Sequence, residues 1–152
     1  MTNAPLSAEA LDRAGWMGVL ARADSAMLAD CMQAAAPLPA HTIRRAPQTG
    51  LVMARGRAGA TGDVFNLGEV ATTRATIVLE DGAEGHAYVL GRDKTHAINA
   101  AICDAAMQTD AAPRLRKGVL QPLMEAEAAR RNAQARKAAA TRVEFFTMTR
   151  GS

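Results

Sequence analysis

TGDVFNLGEVATTRATIVLEDG, Thr61 to Gly82, decides how this chain is built. Its second half, Val70 to Leu79, is dense in β-branched residues and runs into Asp81-Gly82, a pair suited to a tight hairpin turn because glycine tolerates positive φ. His86 to Leu90 then supplies the returning strand. Glu69 and Arg74 lie five positions apart, so a strand sends their side chains to opposite faces and they form no acid–base pair with each other. One of the two is read as facing solvent or a partner, the other as held in a charge-assisted hydrogen bond.

Working outward, the period becomes two from His41, with strands expected at Thr42 to Ala46 and Gly50 to Arg57. GRAGATGDVFNLG, Gly56 to Gly68, carries four glycines and reads as a long exposed loop, the kind that is functional or ordered by a partner. Toward the N-terminus, Ser7 is expected to cap a helix through AEALDRAGWMGVLARA, and Asp24 a second through SAMLADCMQAAA, which must stop before Pro37. The two make a helical hairpin. Beyond the strands, Asp93 caps a helix to about Thr109, Asp110 and Pro113 break the pattern, and a last helix runs from Gly118 to Ala139. The expectation is an α+β fold in one domain, residues 1–152. It has an N-terminal helical hairpin, an antiparallel sheet of about four strands with a fifth from the C-terminal VEFFTM, and two further helices.

At 152 residues the chain can bury about two-thirds of its unfolded surface. Only 3% of residues are aromatic while eight are Met, so the core must be aliphatic, with helices brought close through alanine. The charge is uneven: residues 1–112 hold nine Lys/Arg against twelve Asp/Glu, and residues 113–152 hold nine against three. A basic C-terminal region suits nucleic acid, phosphorylated ligands or an acidic protein, and charge alone does not choose among them. The last helix lacks aromatic platforms on which bases stack. Cys31 and Cys103, far apart and without a Cys-x-x-Cys pattern, read as two buried, reduced thiols. No stretch reaches the ~18 apolar residues of a membrane span, and no basic region precedes an apolar run at the N-terminus, which gives a soluble, cytoplasmic reading.

Gly56, Gly59 and Gly62 fit neither the dinucleotide fingerprint nor the phosphate loop, and turn geometry accounts for them. GRDKTH, Gly91 to His96, is the stronger anion candidate, because Arg92 and Lys94 stand at the start of a helix, where free N–H groups already favour negative charge. His41, His86 and His96 have no carboxylate at metal-ligand spacing, and no serine elbow or Cys–His pairing signals covalent catalysis.

Three segments carry a resemblance: RAPQTGLVMARGRAGATGDVFNLGEVATTRATIVLEDG, GHAYVLGRDKTHAINAAICDAAMQ and the ending TRVEFFTMTRG. In this order, with Trp16 and Leu20 ahead of them, they resemble the G subunits of carbon-phosphorus lyase core complexes, which are components of alpha-D-ribose 1-methylphosphonate 5-triphosphate synthase. The resemblance implies a hetero-oligomer with H, I and J subunits. In such systems G, H and I, helped by an L protein, displace adenine from ATP with methylphosphonate. Nucleosidase chemistry falls to I, and carbon–phosphorus cleavage to J, an iron-sulfur protein using S-adenosylmethionine.

On that reading the chain is a subunit without catalytic residues of its own, and ATP is a substrate of the complex rather than a cofactor of this chain. Its expected interface residues are Phe65, Asn66, Glu69, Arg74, Phe145, Phe146 and Met148, with the loop and VEFFTM packing on the I subunit. Arg92, Lys94, Arg55 and Arg57 are the candidates to lie near the triphosphate. Self-association of the isolated chain, and no nucleic acid or membrane, complete the expectation. The rival readings are a small basic nucleic-acid-binding protein and a free-standing enzyme on a phosphorylated metabolite.

Overall fold

The computed structural model describes residues 7–59 and 61–142. Asp12 opens helix α1 (Arg13–Arg22), its carboxylate accepting the Gly15 N–H, and Asp24 opens α2 (Ser25–Ala34) in the same way through Met27. Ser7, the cap expected for the first helix, precedes only a short 3₁₀ turn, Ala8–Ala10, and makes no side-chain cap. Asp12 takes the role because an ionised oxygen facing free N–H groups also meets the positive end of the helix dipole.

Three antiparallel strands follow, β1 (His41–Arg57), β2 (Val64–Leu79) and β3 (Glu84–Leu90), in the order β1-β2-β3. The Asp81-Gly82 turn is as expected: Gly82 has φ of 90°, Leu79 pairs with Ala83, and the Asp81 carboxylate accepts the Ala83 N–H. The two strands expected at Thr42 to Ala46 and Gly50 to Arg57 are one. Pro47 lacks an N–H, so it signals a break; on an edge strand the ladder passes it by shifting register between Arg45 and Gln48.

The segment expected as a loop from Gly56 to Gly68 is mostly strand. Arg57 pairs with Val64, and the glycines at Gly56 and Gly68 serve the ladder, the latter at φ 145° beside a register shift. β1 ends at Arg57 and β2 begins at Val64, so the two strands build an arm that runs on past the end of β3.

Helix α3 (Lys94–Ala106), capped by Asp93 through the His96 N–H, is the centre of the molecule. Ala97, Ala100, Ala101, Ala105 and Ala106 are all buried, which lets it lie close to the sheet. The approach is closest at Gly85 of β3, where any Cβ would stand 1.9 Å from the Ala101 carbonyl oxygen. Ala75, Ile77, Leu79, Ala87 and Val89 meet α3 from the sheet; Trp16, Val19, Leu20, Leu28 and Met32 from α1 and α2 join the core, as do Leu115, Val119, Leu120 and Leu123 further along the chain.

The expected break is there, α3 stopping at Ala106, and Pro113 sits in the first turn of the next helix: α4 (Ala112–Leu115) leads through a wider π turn, Arg116–Leu120, into α5 (Gln121–Ala140). The turn widens just ahead of Pro122, whose ring nitrogen offers no hydrogen to the preceding turn. The architecture is α+β with every helix that packs on the sheet on one face. The expected terminal strand, with Phe145, Phe146 and Met148, lies outside the described residues.

Candidate functional site

Alternation along β2 sends Ala75, Ile77 and Leu79 into the core and Thr72, Arg74 and Thr76 to the face that no described helix covers. The turn at Gly82 sets the rest. With Leu79 opposite Ala83, counting outward puts Arg74 opposite Tyr88 and Thr76 opposite His86. Gln48 pairs with Arg74 from β1, and its Oε1 accepts a long hydrogen bond, 3.4 Å, from the guanidinium. Thr72 is buried, and its hydroxyl donates to the Tyr88 oxygen at 3.1 Å.

These residues line an open groove of about 600 Å³, bounded by Gln48, Val52, Thr72, Arg74, Tyr88 and Lys94, with no carboxylate among its described lining residues. Arg74 and Lys94 therefore face one space with their charge unmatched there. Asp93, next to Lys94, is committed elsewhere. Its carboxyl accepts the His96 N–H and a bond from Ser25, which together hold its pKa below the ordinary range.

The arm is a second exposed feature. Leu51, Met53, Val64, Phe65 and Leu67 are each at least 45% exposed, a concentration of large apolar side chains on a thin two-stranded projection. Asn66 pairs with Arg55 and Glu69 with Met53 on the same arm.

The expected anion residues divide. Lys94 enters the groove, and Arg92 stands exposed two residues before it. Arg55 and Arg57 lie far out on the arm, opposite Asn66 and Val64. Since β3 ends opposite Thr72, about 20 Å of strand separates Asn66 from the start of α3. Arg74, expected at an interface, lines the groove with Lys94, while Glu69 lies on the other face of the sheet.

The histidines stay apart. His86 is exposed and shares a hydrogen bond with Thr76, while buried His96 donates Nε2–H to the Leu20 carbonyl at 2.8 Å. Among the described residues no group of three or more His, Cys, Asp or Glu could hold a metal ion.

Two roles escape a reading of the sequence. Tyr88 carries no motif of its own, although the Asp81-Gly82 turn already places it opposite Arg74. Arg114 and Arg116, part of the basic C-terminal region, work internally. Arg114 donates to the carbonyls of Ala35 and Pro37, Arg116 donates to that of Leu11, and the Arg116 guanidinium stands 5.4 Å from the Trp16 ring centroid. The basic residues left on the exposed outer half of α5 include Arg130, Arg136 and Lys137. No described helix is long and apolar enough to cross a membrane.

Comparison with known proteins adds a family. Residues 11–151 match the model of the family described as phosphonate metabolism protein PhnG. A Rhizobium meliloti (strain 1021) protein, alpha-D-ribose 1-methylphosphonate 5-triphosphate synthase subunit PhnG, is 45% identical over 139 residues, covering 89% of this chain and 86% of the relative.

Proposed function

Given that the chain belongs to the PhnG family of phosphonate metabolism proteins, we propose that it is a non-catalytic, required subunit of an alpha-D-ribose 1-methylphosphonate 5-triphosphate synthase. In that complex, ribose 5-triphosphate passes from ATP to methylphosphonate with loss of adenine. Partner subunits of the H, I and J types, aided by an L protein, supply the reacting groups, and this chain docks on them through its β1–β2 arm.

The arm is the observation that carries the reading. Large apolar side chains held half-exposed on a projecting hairpin cost solubility in a free chain and stabilise an assembly that covers them, with Phe65 as the aromatic anchor and Asn66 and Glu69 at its polar rim. Arg55 and Arg57 ride on the same arm, where docking brings them beside a partner; Arg92 and Lys94 stay with the body. All four serve the triphosphate in this proposal, from two directions.

The test is co-expression with H, I and J subunits. The intact chain is expected to co-purify with them and to restore ATP- and methylphosphonate-dependent release of adenine together with H, I and L. The double variant Phe65→Ser/Leu67→Ser is expected to drop out of the complex while remaining folded. Adenine release by the purified chain alone, or by H, I and L without it, overturns the reading.

A further inference from the structure

We propose that the groove on the sheet face that no described helix covers is a binding site for a tetrahedral phosphorus oxyanion, held by the Arg74 guanidinium, the Lys94 ammonium and the Tyr88 hydroxyl. The inference stands on the groove's own residues and does not require the subunit reading.

Two cations line one concave space from different elements, strand β2 and the first residue of α3, and no described carboxylate lines it with them. Like charges gathered without a counter-charge repel, and an anion seated between them removes that cost. The nearest acid along the chain, Asp93, is bound to the α3 N-terminus and to Ser25. Among the described residues Arg74 is occupied only lightly, by a neutral amide at 3.4 Å, which leaves its planar fork for a two-pronged bond of the kind that fits a tetrahedral oxyanion.

Tyr88 completes the donor set. Buried Thr72 gives its proton to the phenol oxygen, which fixes the ring over the groove and leaves the phenol's own hydrogen for an outside acceptor. A single carboxylate would match one of the two cations, whereas a doubly charged phosphate or phosphonate matches both. The volume, about 600 Å³, lies within the usual range for small-molecule sites and exceeds one phosphate group, so the remainder of a phosphorylated small molecule has room along Pro47, Leu51 and Val52.

Calorimetric titration of the full-length chain with tripolyphosphate, inorganic phosphate and acetate at one ionic strength tests this. One site is expected, tightest for tripolyphosphate, weaker for phosphate and unmeasurable for acetate. Arg74→Gln and Lys94→Gln are each expected to weaken tripolyphosphate by roughly tenfold or more, Tyr88→Phe by less, and Arg130→Gln on α5 not at all. Thermal melts confirm that the variants fold, and Tyr88→Phe, which deletes one oxygen, serves if either charge change does not. Absence of binding, binding with no order among the anions, or equal loss in Arg130→Gln overturns the site. Co-purification with partner subunits, measured on the same variants, is expected to be unchanged, so failure of the anion site and failure of the subunit reading give different results.

Discussion

The Trp16 indole N–H donates to Oδ1 of Asp104 at 2.8 Å, tying α1 to the middle layer of the molecule. Arg13 grips the same carboxylate with Nε and Nη2, at 3.2 and 2.8 Å, and the His86 backbone N–H reaches Oδ2 at 2.9 Å. One fully buried acid on α3 thus joins α1 and β3 to that helix and satisfies donors from both. The hydrogen bond to Asp104 also raises the Arg13 pKa, so the guanidinium holds its charge more firmly than it does in water.

Removing that carboxylate leaves a half-exposed cation without its partner, and the buried Trp16 indole and the part-buried His86 N–H without acceptors. Asp104→Ala is expected to cost about 3–5 kcal/mol of stability, and Trp16→Phe, which removes one donor and leaves the ion pair, about 1–2. Urea unfolding followed by circular dichroism measures both. Equal losses in the two variants would show that the carboxylate is not the hub.

Gly85 makes a sharper packing prediction. An added Cβ meets the Ala101 carbonyl oxygen at 1.9 Å and Ala105 atoms at 2.7 and 2.8 Å, and backbone cannot step aside as a flexible side chain does. Gly85→Ala should therefore destabilise by about 3 kcal/mol or more, at the upper end of overpacking penalties. Gly50→Ala, where nothing lies within 4 Å, is the control and should stay within about 1 kcal/mol.

What the sequence discloses and what it withholds follow one division. The Asp24 and Asp93 caps and the Asp81-Gly82 turn are legible because each is decided within four residues. The continuity of β1 through Pro47 is not, because it depends on a partner strand that follows the ladder around the missing N–H. For the same reason a glycine-rich segment reads as a loop: glycines that weaken a lone strand also build its bulges. Asp104 looks like one more helix residue, since its partners lie 18 to 91 positions away. At the groove, Lys94 is visible as a cation at a helix start, while its companion Arg74 requires the sheet to fold first.

The arm should be separable from stability. Phe65 and Leu67 are 45% and 64% exposed, so replacing both with serine should change the unfolding free energy by less than about 1 kcal/mol. Light scattering on the isolated chain is expected to show less self-association in that variant than in the parent. A large loss of stability would instead assign the two residues to the fold.

The thiols should be slow to react. Burial, with Cys31 and Asp104 nearby, pushes the Cys103 pKa up to about 12, and burial and Asp30 raise that of half-buried Cys31. Thiolate is the reactive form, so at pH 8 a disulfide reagent should modify the native chain slowly, Cys31 first, and the unfolded chain at both sites quickly. Cys31→Ser should leave the native chain nearly inert; rapid reaction of that variant would contradict the buried placement of Cys103.

Acid should loosen the helix ends before the core. Hydrogen bonds from Arg22, at 2.8 Å, and then the charges of Arg22, Arg131 and Arg130 hold Glu127 below its ordinary pKa, and the His96 N–H does the same for Asp93. A carboxyl whose folded pKa is depressed stabilises the fold above its unfolded pKa, and that contribution disappears as protons bind during the fall through the folded value. Stability should therefore be level near neutrality and decline from roughly pH 5 downward. Glu127→Gln and Asp93→Asn should each flatten the decline while lowering stability at pH 7. Added salt should mimic the first more than the second, because Glu127 acts through surface ion pairs and Asp93 through a backbone bond. Denaturant midpoints collected from pH 7 to pH 3, with and without salt, decide the matter: slopes identical to the parent in both variants would remove these two carboxylates from the acid response.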